Sequence, residues 1–289
     1  MTNKKVHFTL LDAVLISLIL AAVVFIVQRV GVEMRYRWQW PVIFQYLVYL
    51  DGERWAAGTL LQGFLTTIKL SLWATALATL LGTVMGLFRV SHGLFYRLIA
   101  GSYVGMVRNL PPLVLVFIVY FFIGERIMIL SGAEHFFRAA SPEVQKTLAI
   151  LFAPPARLTG FLAGLATLVL YEAAYITEIV RAGIQSIENG QWEAGHALGL
   201  SRCQQLHHVI LPQALQQILP ALAGQLISTI KDSAIVSVIS IPELTFRGLE
   251  LMSATYLTFE VWITITALYF LLTFTCSLGV KRLETAGQR

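Results

Sequence analysis

Six long apolar segments constrain the fold of this chain more than any other feature. A helix needs about 20 apolar residues to cross the hydrocarbon core of a bilayer, and five uninterrupted runs approach or exceed that length. A sixth is interrupted near its middle by Pro111 and Pro112, where the loss of backbone donors predicts a break. The sequence therefore predicts an all-α membrane protein with about six transmembrane helices. The uninterrupted runs are residues 10–27, 60–88, 158–180, 218–241 and 259–280, and the broken one is residues 98–123.

Composition supports the membrane assignment. Only 13% of the residues are charged and 57% are hydrophobic, whereas soluble domains carry about 25% charged residues. The net charge of +5 comes without the basic run that would indicate nucleic-acid binding. Cys203 and Cys276 are too far apart in sequence to indicate a cysteine-rich zinc site, and two cysteines do not make a disulfide scaffold. Residues 8–30 are too long for the apolar core of a cleavable signal, so we expect a retained membrane helix.

The usual enzymatic motifs are missing from the sequence. Neither HExxH nor GxSxG occurs, and there is no nucleotide-binding loop of the form GxxxxGK[ST]. Adjacent histidines such as His207 and His208 diverge on a helix, so no metal site is expected. The sequence therefore predicts no catalytic site, no cofactor and no ATPase site in this chain, so any ATP hydrolysis must come from a partner.

A polar segment between the third and fourth uninterrupted runs carries the strongest local pattern. Residues 191–198 can form two helical turns, and Gly199 is well placed as the left-handed residue that ends them. Ser201 and Gln204 have the spacing of a capping box for a second helix, and Pro212 follows where a new direction begins. The pattern predicts two short helices joined by a tight corner outside the bilayer. A plain amphipathic connecting loop is the alternative.

Residues 188–212 resemble the EAA loop of ATP-binding-cassette (ABC) importer permeases. Glu193 and Ala194 match the start of that motif, Gly199 follows at the required spacing, and the motif is closed by Leu211 and Pro212. The sequence departs from the motif at two positions: Gly195 replaces an alanine and Val209 replaces an isoleucine.

Flanking motifs are similar to those of the polar amino acid (glutamine/histidine-type) permeases, and the resemblance covers residues 58–285. These motifs are Arg108 to Leu113, Ala174-Tyr175 with Glu178 and Arg181, Gly190-Gln191, Gln213-Ala214, Pro220, Lys231-Asp232-Ser233 and Pro242 to Thr245.

The resemblance implies a type I ABC importer permease fold in which residues 188–212 form a coupling helix. That helix would dock on a cytoplasmic ATPase dimer, which binds ATP and Mg²⁺, through Glu193, Ala194, Gly195, Gly199, Leu211 and Pro212. The implied partners are a second permease subunit, an external substrate-binding protein and a polar amino acid substrate. The implied location is the bacterial cytoplasmic membrane.

The resemblance also implies an orientation and a domain division. Lys and Arg are distributed evenly between the two sides, so charge counting alone does not decide the topology. A cytoplasmic coupling loop would place both termini in the cytoplasm. Residues 1–57 would then be an additional transmembrane helix with an external segment, residues 58–285 the transporter domain, and residues 286–289 a cytoplasmic tail.

Charged residues inside apolar runs mark a candidate substrate pathway, because burying a charge at mid-bilayer is costly. Glu172 has no oppositely charged residue within one helical turn, and we expect it to favour a cationic group such as the α-ammonium of a substrate. Arg108 is suited to a carboxylate. Lys231 and Asp232, followed by Ser233, indicate either a helix break that lines the pathway or an ion-pair network between helices.

An ion-coupled secondary transporter, or a channel for small polar solutes, is the alternative function. Six helices with intramembrane charges are compatible with it. The lengths of the apolar segments show no inverted repeat of the kind such transporters often contain.

Overall fold

The computed structural model describes residues 10–33, 36–124, 126 and 139–287. The chain divides into two compact units, residues 1–44 and 45–289, which are described separately. In the first unit, α1 (Leu10–Glu33) contains the whole of the predicted span at residues 10–27, and its described side chains are largely exposed. Its described apolar segment, Leu10–Ala22, is shorter than the length required to cross a bilayer, so the membrane crossing of α1 stays a prediction.

A small β-hairpin modifies the all-α expectation. After α2 (Trp40–Leu47), β1 (Val48–Asp51) pairs antiparallel with β2 (Arg54–Ala57), and Gly52 occupies the turn with a φ of 63°. Glycine adopts this left-handed conformation without steric cost, so a tight reversal can form here. This region was expected to be an external polar segment, and the hairpin was not predicted.

Two long helices form the centre of the second unit. Along its length, α3 (Thr59–Val90) packs against α7 (Pro155–Gln185). A Cβ atom added at Gly82 would lie 2.7 Å from Ile176 Cβ and 2.9 Å from the Ala173 carbonyl oxygen, so only glycine permits this approach. In the sequence, small residues recur along this segment at Ala74, Ala76, Ala78, Gly82 and Gly86, a pattern that predicts a helix-packing surface. Buried positions on α3 recur every four residues, at Leu70, Ala74, Ala78, Gly82 and Gly86. Ala76 is exposed and does not lie on this face.

The interrupted span is bent as predicted. It consists of α4 (Leu94–Asn109) and α5 (Pro112–Ile118), which continues into a π-helical turn at Val119–Gly124. The helix axis bends by 115° between the two arms. Pro112 begins α5 at a position where its missing N–H costs no hydrogen bond, which explains why the chain can restart a helix immediately after the break.

The remaining elements complete the bundle. A short helix, α6 (Pro142–Leu151), precedes α7, and two short helices, α8 (Asn189–Ala197) and α9 (Arg202–Gln205), follow it. After them come α10 (Leu211–Asp232), a 3₁₀-helix (Ser233–Ile239), α11 (Leu244–Thr255) and α12 (Thr258–Gly287). Among the described residues, four helical segments are long and apolar enough to span a membrane, and the bent pair adds a fifth if its two arms form one span.

A buried carboxyl group fastens α11 to two spanning helices. Glu243 is fully buried at the N-terminus of α11, where its side chain accepts hydrogen bonds from the backbone N–H groups of Thr245 (2.9 Å) and Phe246 (2.7 Å). The hydroxyl of Tyr269 on α12 donates to Glu243 Oε2 at 2.9 Å, and that of Thr67 on α3 donates to it at 3.4 Å. One side chain therefore caps one helix and links it to two others.

Candidate functional site

The helical corner between α7 and α10 forms as predicted. The N–H of Gly199 donates to the carbonyl of His196 (2.9 Å), and the N–H of Leu200 donates to the carbonyl of Gly195 (3.1 Å). Together with the φ of 74° at Gly199, these bonds form a Schellman motif that ends α8. The chain direction therefore reverses at a residue whose conformation strongly favours glycine.

The second arm of the corner begins with the predicted capping box. Ser201 Oγ accepts the N–H of Gln204 at 3.4 Å, and Gln204 Oε1 accepts the N–H of Ser201 at 2.8 Å. Two backbone donors that a helix N-terminus leaves unpaired are thus satisfied. The helix then runs without a break through a π-helical turn at Leu206–Ile210 into α10.

The corner presents an exposed outer face. Glu193 and Ala194 are exposed, and Leu198 at the tip has 79% of its surface exposed. In the described part of the chain no hydrogen bond or ion pair involves the Glu193 side chain, and Ser201 and Gln204 supply the capping. An exposed leucine beside an unpaired carboxylate is suited to contact with another protein.

Gly195 faces the opposite way, into the corner. A Cβ atom at this position would lie 3.0 Å from Gln205 Cγ. The Gln205 side chain is held there because its Nε2 donates to the Leu200 carbonyl at 2.8 Å. Glycine replaces the alanine of the EAA motif at this position. Its lack of a side chain makes room for Gln205, which stabilises the corner.

Apolar and polar contacts attach the corner to the bundle. Ile210 is fully buried in a cluster with Ile184 at the end of α7. The guanidinium carbon of Arg202 lies 4.0 Å from the ring centroid of Trp192, a cation–π contact between the two arms. Leu211 is half-buried, and Pro212 is exposed in the first turn of α10. The corner is thus a rigid extension of α7 and α10.

A second group of polar residues lies inside the bundle around Glu172. This residue is fully buried on α7, and its Oε2 accepts a hydrogen bond of 2.6 Å from Gln225 Nε2 on α10. Its other oxygen, Oε1, is buried without a hydrogen-bond partner within the described residues. Asp232 lies close enough to interact with it. The structure therefore brings together Glu172 and Asp232, which are 60 positions apart in sequence.

The helix containing Lys231 and Asp232 breaks where the pair occurs. α10 ends at Asp232 and the chain continues as a 3₁₀-helix from Ser233, so the α-helix ends where the first of the two alternatives places a break. The role of this break in lining a pathway stays a prediction. Lys231 is exposed, and across the described ranges it makes no ion pair with Asp232. Ser233 is buried, and its hydroxyl donates to the Ile230 carbonyl at 2.8 Å. Of these three residues, only Asp232 joins the group around Glu172.

Arg108 is linked to the same region through aromatic rings. Its guanidinium carbon lies 5.2 Å from the ring centroid of Tyr175, and the hydroxyls of Tyr175 and Tyr171 are 3.1 Å apart. Tyr171 is in turn near Glu172 and Asp232. A continuous polar strip thus runs from a basic group on α4 to an acidic pair on α7 and α10.

Several members of this strip were missed from the sequence. Gln225 and Thr229 are four residues apart on α10, which places them on one face. That spacing, with Asp232 three residues further on, was the available signal. Tyr171 and Tyr175 share the same four-residue spacing on α7.

An ionic cluster joins α3 and α7 near the corner. Glu178 and Arg181, three residues apart on α7, form an ion pair in which Arg181 Nη2 lies 2.7 Å from Glu178 Oε2. Arg89 at the end of α3 lies 3.3 Å from the other oxygen of Glu178, and Arg181 also donates to Gln185. The second arginine comes from 89 residues away, so sequence spacing did not reveal it.

Comparisons with known proteins agree with this geometry. The model of the family described as "Binding-protein-dependent transport system inner membrane component" matches residues 78–286. A probable glutamine ABC transporter permease protein of Bacillus subtilis is 31% identical over 78% of this chain and 91% of its own length. A glutamine transport system permease protein of Escherichia coli is 32% identical over 75% of this chain and 89% of its own length.

A solved structure shares the fold. It is described as an amino acid ABC transporter with histidines, and it superposes with a TM-score of 0.67 and 30% sequence identity. The match covers 87% of this chain and the whole of that chain. With the family match over more than half of the sequence, these similarities establish the class of protein. The chain belongs to the family of binding-protein-dependent transport system inner membrane components and is a permease subunit of an ABC importer.

Proposed function

We propose that this permease imports polar amino acids and is driven by a separate ATPase that contacts the helical corner. The observation that carries the coupling is the corner itself: a Schellman turn at Gly199 holds Leu198 and Glu193 on an exposed face outside the spanning helices. The names of the glutamine permeases to which the chain is similar support the amino acid class.

This proposal sets the orientation of the chain. A corner that contacts a cytoplasmic ATPase lies on the cytoplasmic side, and both termini then lie there too. The ATPase binds ATP and Mg²⁺, since the sequence has no nucleotide-binding loop. This chain supplies the membrane pathway and no cofactor site. A binding protein on the external side delivers the amino acid.

The pathway requires a second permease subunit, identical or related, because one set of five or six helices encloses too little space. On this chain the polar strip is the candidate wall of the pathway. We propose that Glu172 and Asp232 attract the α-ammonium group of the substrate and that Arg108 attracts its carboxylate. Ser233 and Lys231 mark the helix break beside this wall, where backbone groups become available to a polar substrate.

Uptake into proteoliposomes tests the energy source. With the complete importer and its binding protein, we expect accumulation of L-glutamine only when ATP is enclosed with the ATPase, and no uptake on a sodium or proton gradient alone. Vesicles that contain only the permease subunits are the control. Gradient-driven uptake in those vesicles would favour the ion-coupled alternative and overturn the proposal.

Replacing Glu172 by glutamine tests the pathway. The change keeps the shape of the side chain and the site for Gln225 but removes the negative charge. Because a hydrogen bond to a charged group contributes about 1.5–3 kcal/mol, we expect the concentration for half-maximal uptake to rise at least about tenfold. Glu143→Gln, an exposed change of the same kind on α6, is the matched control. An unchanged uptake rate and selectivity for Glu172→Gln would remove Glu172 from the pathway.

A further inference from the structure

A cavity of about 260 Å³ lies at the end of the bundle remote from the corner. It is lined by the first turn of α7, the residues that follow the 3₁₀-helix, and α11. The corner follows the last turn of α7, and a helix of 31 residues is about 46 Å long. The cavity and the corner therefore belong to opposite sides of the membrane.

Arg247 is the distinctive residue of this cavity. Only 12% of its side chain is exposed, and Nη1 lies 2.7 Å from Glu250 Oε2. Its Nε is buried and has no hydrogen-bond partner in the part of the chain that the structure describes. Buried polar groups are nearly always paired, so an unpaired guanidinium N–H in a cavity wall indicates a missing acceptor. The Nε–Nη2 edge of arginine is a two-donor fork that matches a carboxylate.

The position of this guanidinium is set by close packing. The side-chain carbons of Arg247 lie against Gly63 on α3, where an added Cβ atom would come within 2.8 Å of Arg247 Cγ. Glu250 holds one end of the guanidinium group. The donors are thus fixed before any ligand arrives, which lowers the entropic cost of binding.

The other lining residues define the chemistry of the ligand. Arg157 adds a second positive charge to the cavity, and Glu250, which is 48% exposed, adds one negative charge. Phe246 and Tyr120 contribute apolar surface. The excess of positive charge favours a carboxylate, and the single carboxylate of Glu250 can receive an ammonium group. The volume is below the roughly 300–1,000 Å³ of sites for drug-sized ligands and suits a smaller molecule.

We propose that this cavity is an external binding site for a free amino acid in transit. The ligand's α-carboxylate binds the guanidinium group of Arg247, and its α-ammonium binds Glu250. The assignment of the cavity to the external side rests on the proposed function. The site is distinct from the polar strip around Glu172, and it holds the substrate after release from the binding protein and before entry to the pathway.

Equilibrium binding of L-glutamine to the complete importer in nanodiscs, without ATP or binding protein, tests the site. We expect weak saturable binding that Arg247→Met lowers at least tenfold, because methionine keeps part of the apolar stem and loses the carboxylate fork. Glu250→Gln, at a more exposed position, is expected to lower it severalfold, and Glu143→Gln, an exposed change on α6, is the control that leaves binding at this cavity intact. 4-Aminobutanamide, which lacks the carboxylate of glutamine, should fail to compete.

The outcomes separate this site from the proposed function. Suppose that the wild-type importer accumulates L-glutamine with ATP and that the Arg247→Met variant binds L-glutamine as tightly as the wild type does. This result would overturn the site and leave the proposed function standing. If Arg247→Met instead weakened only the docking of the binding protein, the cavity would receive an acidic side chain, and the amino acid site would be wrong. If the Arg247→Met variant fails to assemble, the site is still tested by L-glutamine binding to the Glu250→Gln variant and by competition with 4-aminobutanamide.

Discussion

Gly199→Val is expected to lower ATP-driven uptake at least tenfold while the chain still inserts into the membrane. The φ of 74° at this position is accessible to glycine, but it costs other residues about 1–2 kcal/mol and disfavours a β-branched side chain further. Because the corner is exposed, its backbone can reverse direction at another residue and so avoid this cost. Leu198 and Glu193 would then leave the positions from which we propose that they contact the ATPase.

The measurement is ATP-dependent uptake in proteoliposomes, together with the amount of ATPase that copurifies with the permease. Gly190→Ala, in the first turn of α8, is the matched control, because that glycine has no left-handed φ and no atom within 4 Å of an added Cβ. It should retain nearly full uptake. Full uptake by Gly199→Val would show that the corner geometry does not carry the coupling.

Glu243→Ala is expected to lower the free energy of unfolding by about 3–4 kcal/mol. The change removes the cap of α11 and leaves the hydroxyl of Tyr269 and two backbone N–H groups without their acceptor, and each unsatisfied buried donor costs about 1–3 kcal/mol. Glu243→Gln keeps one acceptor oxygen and should lose less. The free energy of unfolding of the purified permease, measured in mixed micelles, gives the values.

Tyr269→Phe provides a graded control for the same network. It removes one hydrogen bond to Glu243 and one to Thr245, and it keeps the ring that packs between helices. A loss of about 1 kcal/mol is expected. If Glu243→Ala were no more destabilising than Tyr269→Phe, the capping bonds at α11 would contribute little, and the carboxyl would be a passive member of the interface.

The parts of the fold that the sequence predicts are those determined by local chemistry. The corner depends on Gly199, Ser201 and Gln204, each of which bonds within a few residues of itself. The break in the span at residues 98–123 is also local, because it depends on the adjacent prolines Pro111 and Pro112. Spans depend on hydropathy over about 20 residues, which is also a local property. Such features can be predicted before tertiary structure is known.

Contacts between distant helices account for what the sequence did not predict. Gln225 is 53 residues from Glu172, and the bond between them exists only because α7 and α10 pack side by side. The buried bonds of Glu243 likewise join α3, α11 and α12, and the sequence indicates only the local motif around that residue. The packing face of α3 was predicted too broadly, because composition alone does not distinguish Ala76 from Ala78.

The length of α7 has a mechanical consequence. Pro155, at its start, is the one proline in the helix, so its hydrogen-bonding ladder is continuous from the cavity to the corner. A helix about 46 Å long that tilts by about 10° about one end displaces the other end by about 8 Å. The close packing of α3 against α7 at Gly82 and Gly86 favours movement of the two helices together. If an ATPase contacts the corner as proposed, a small tilt there would produce a displacement of this size at the cavity.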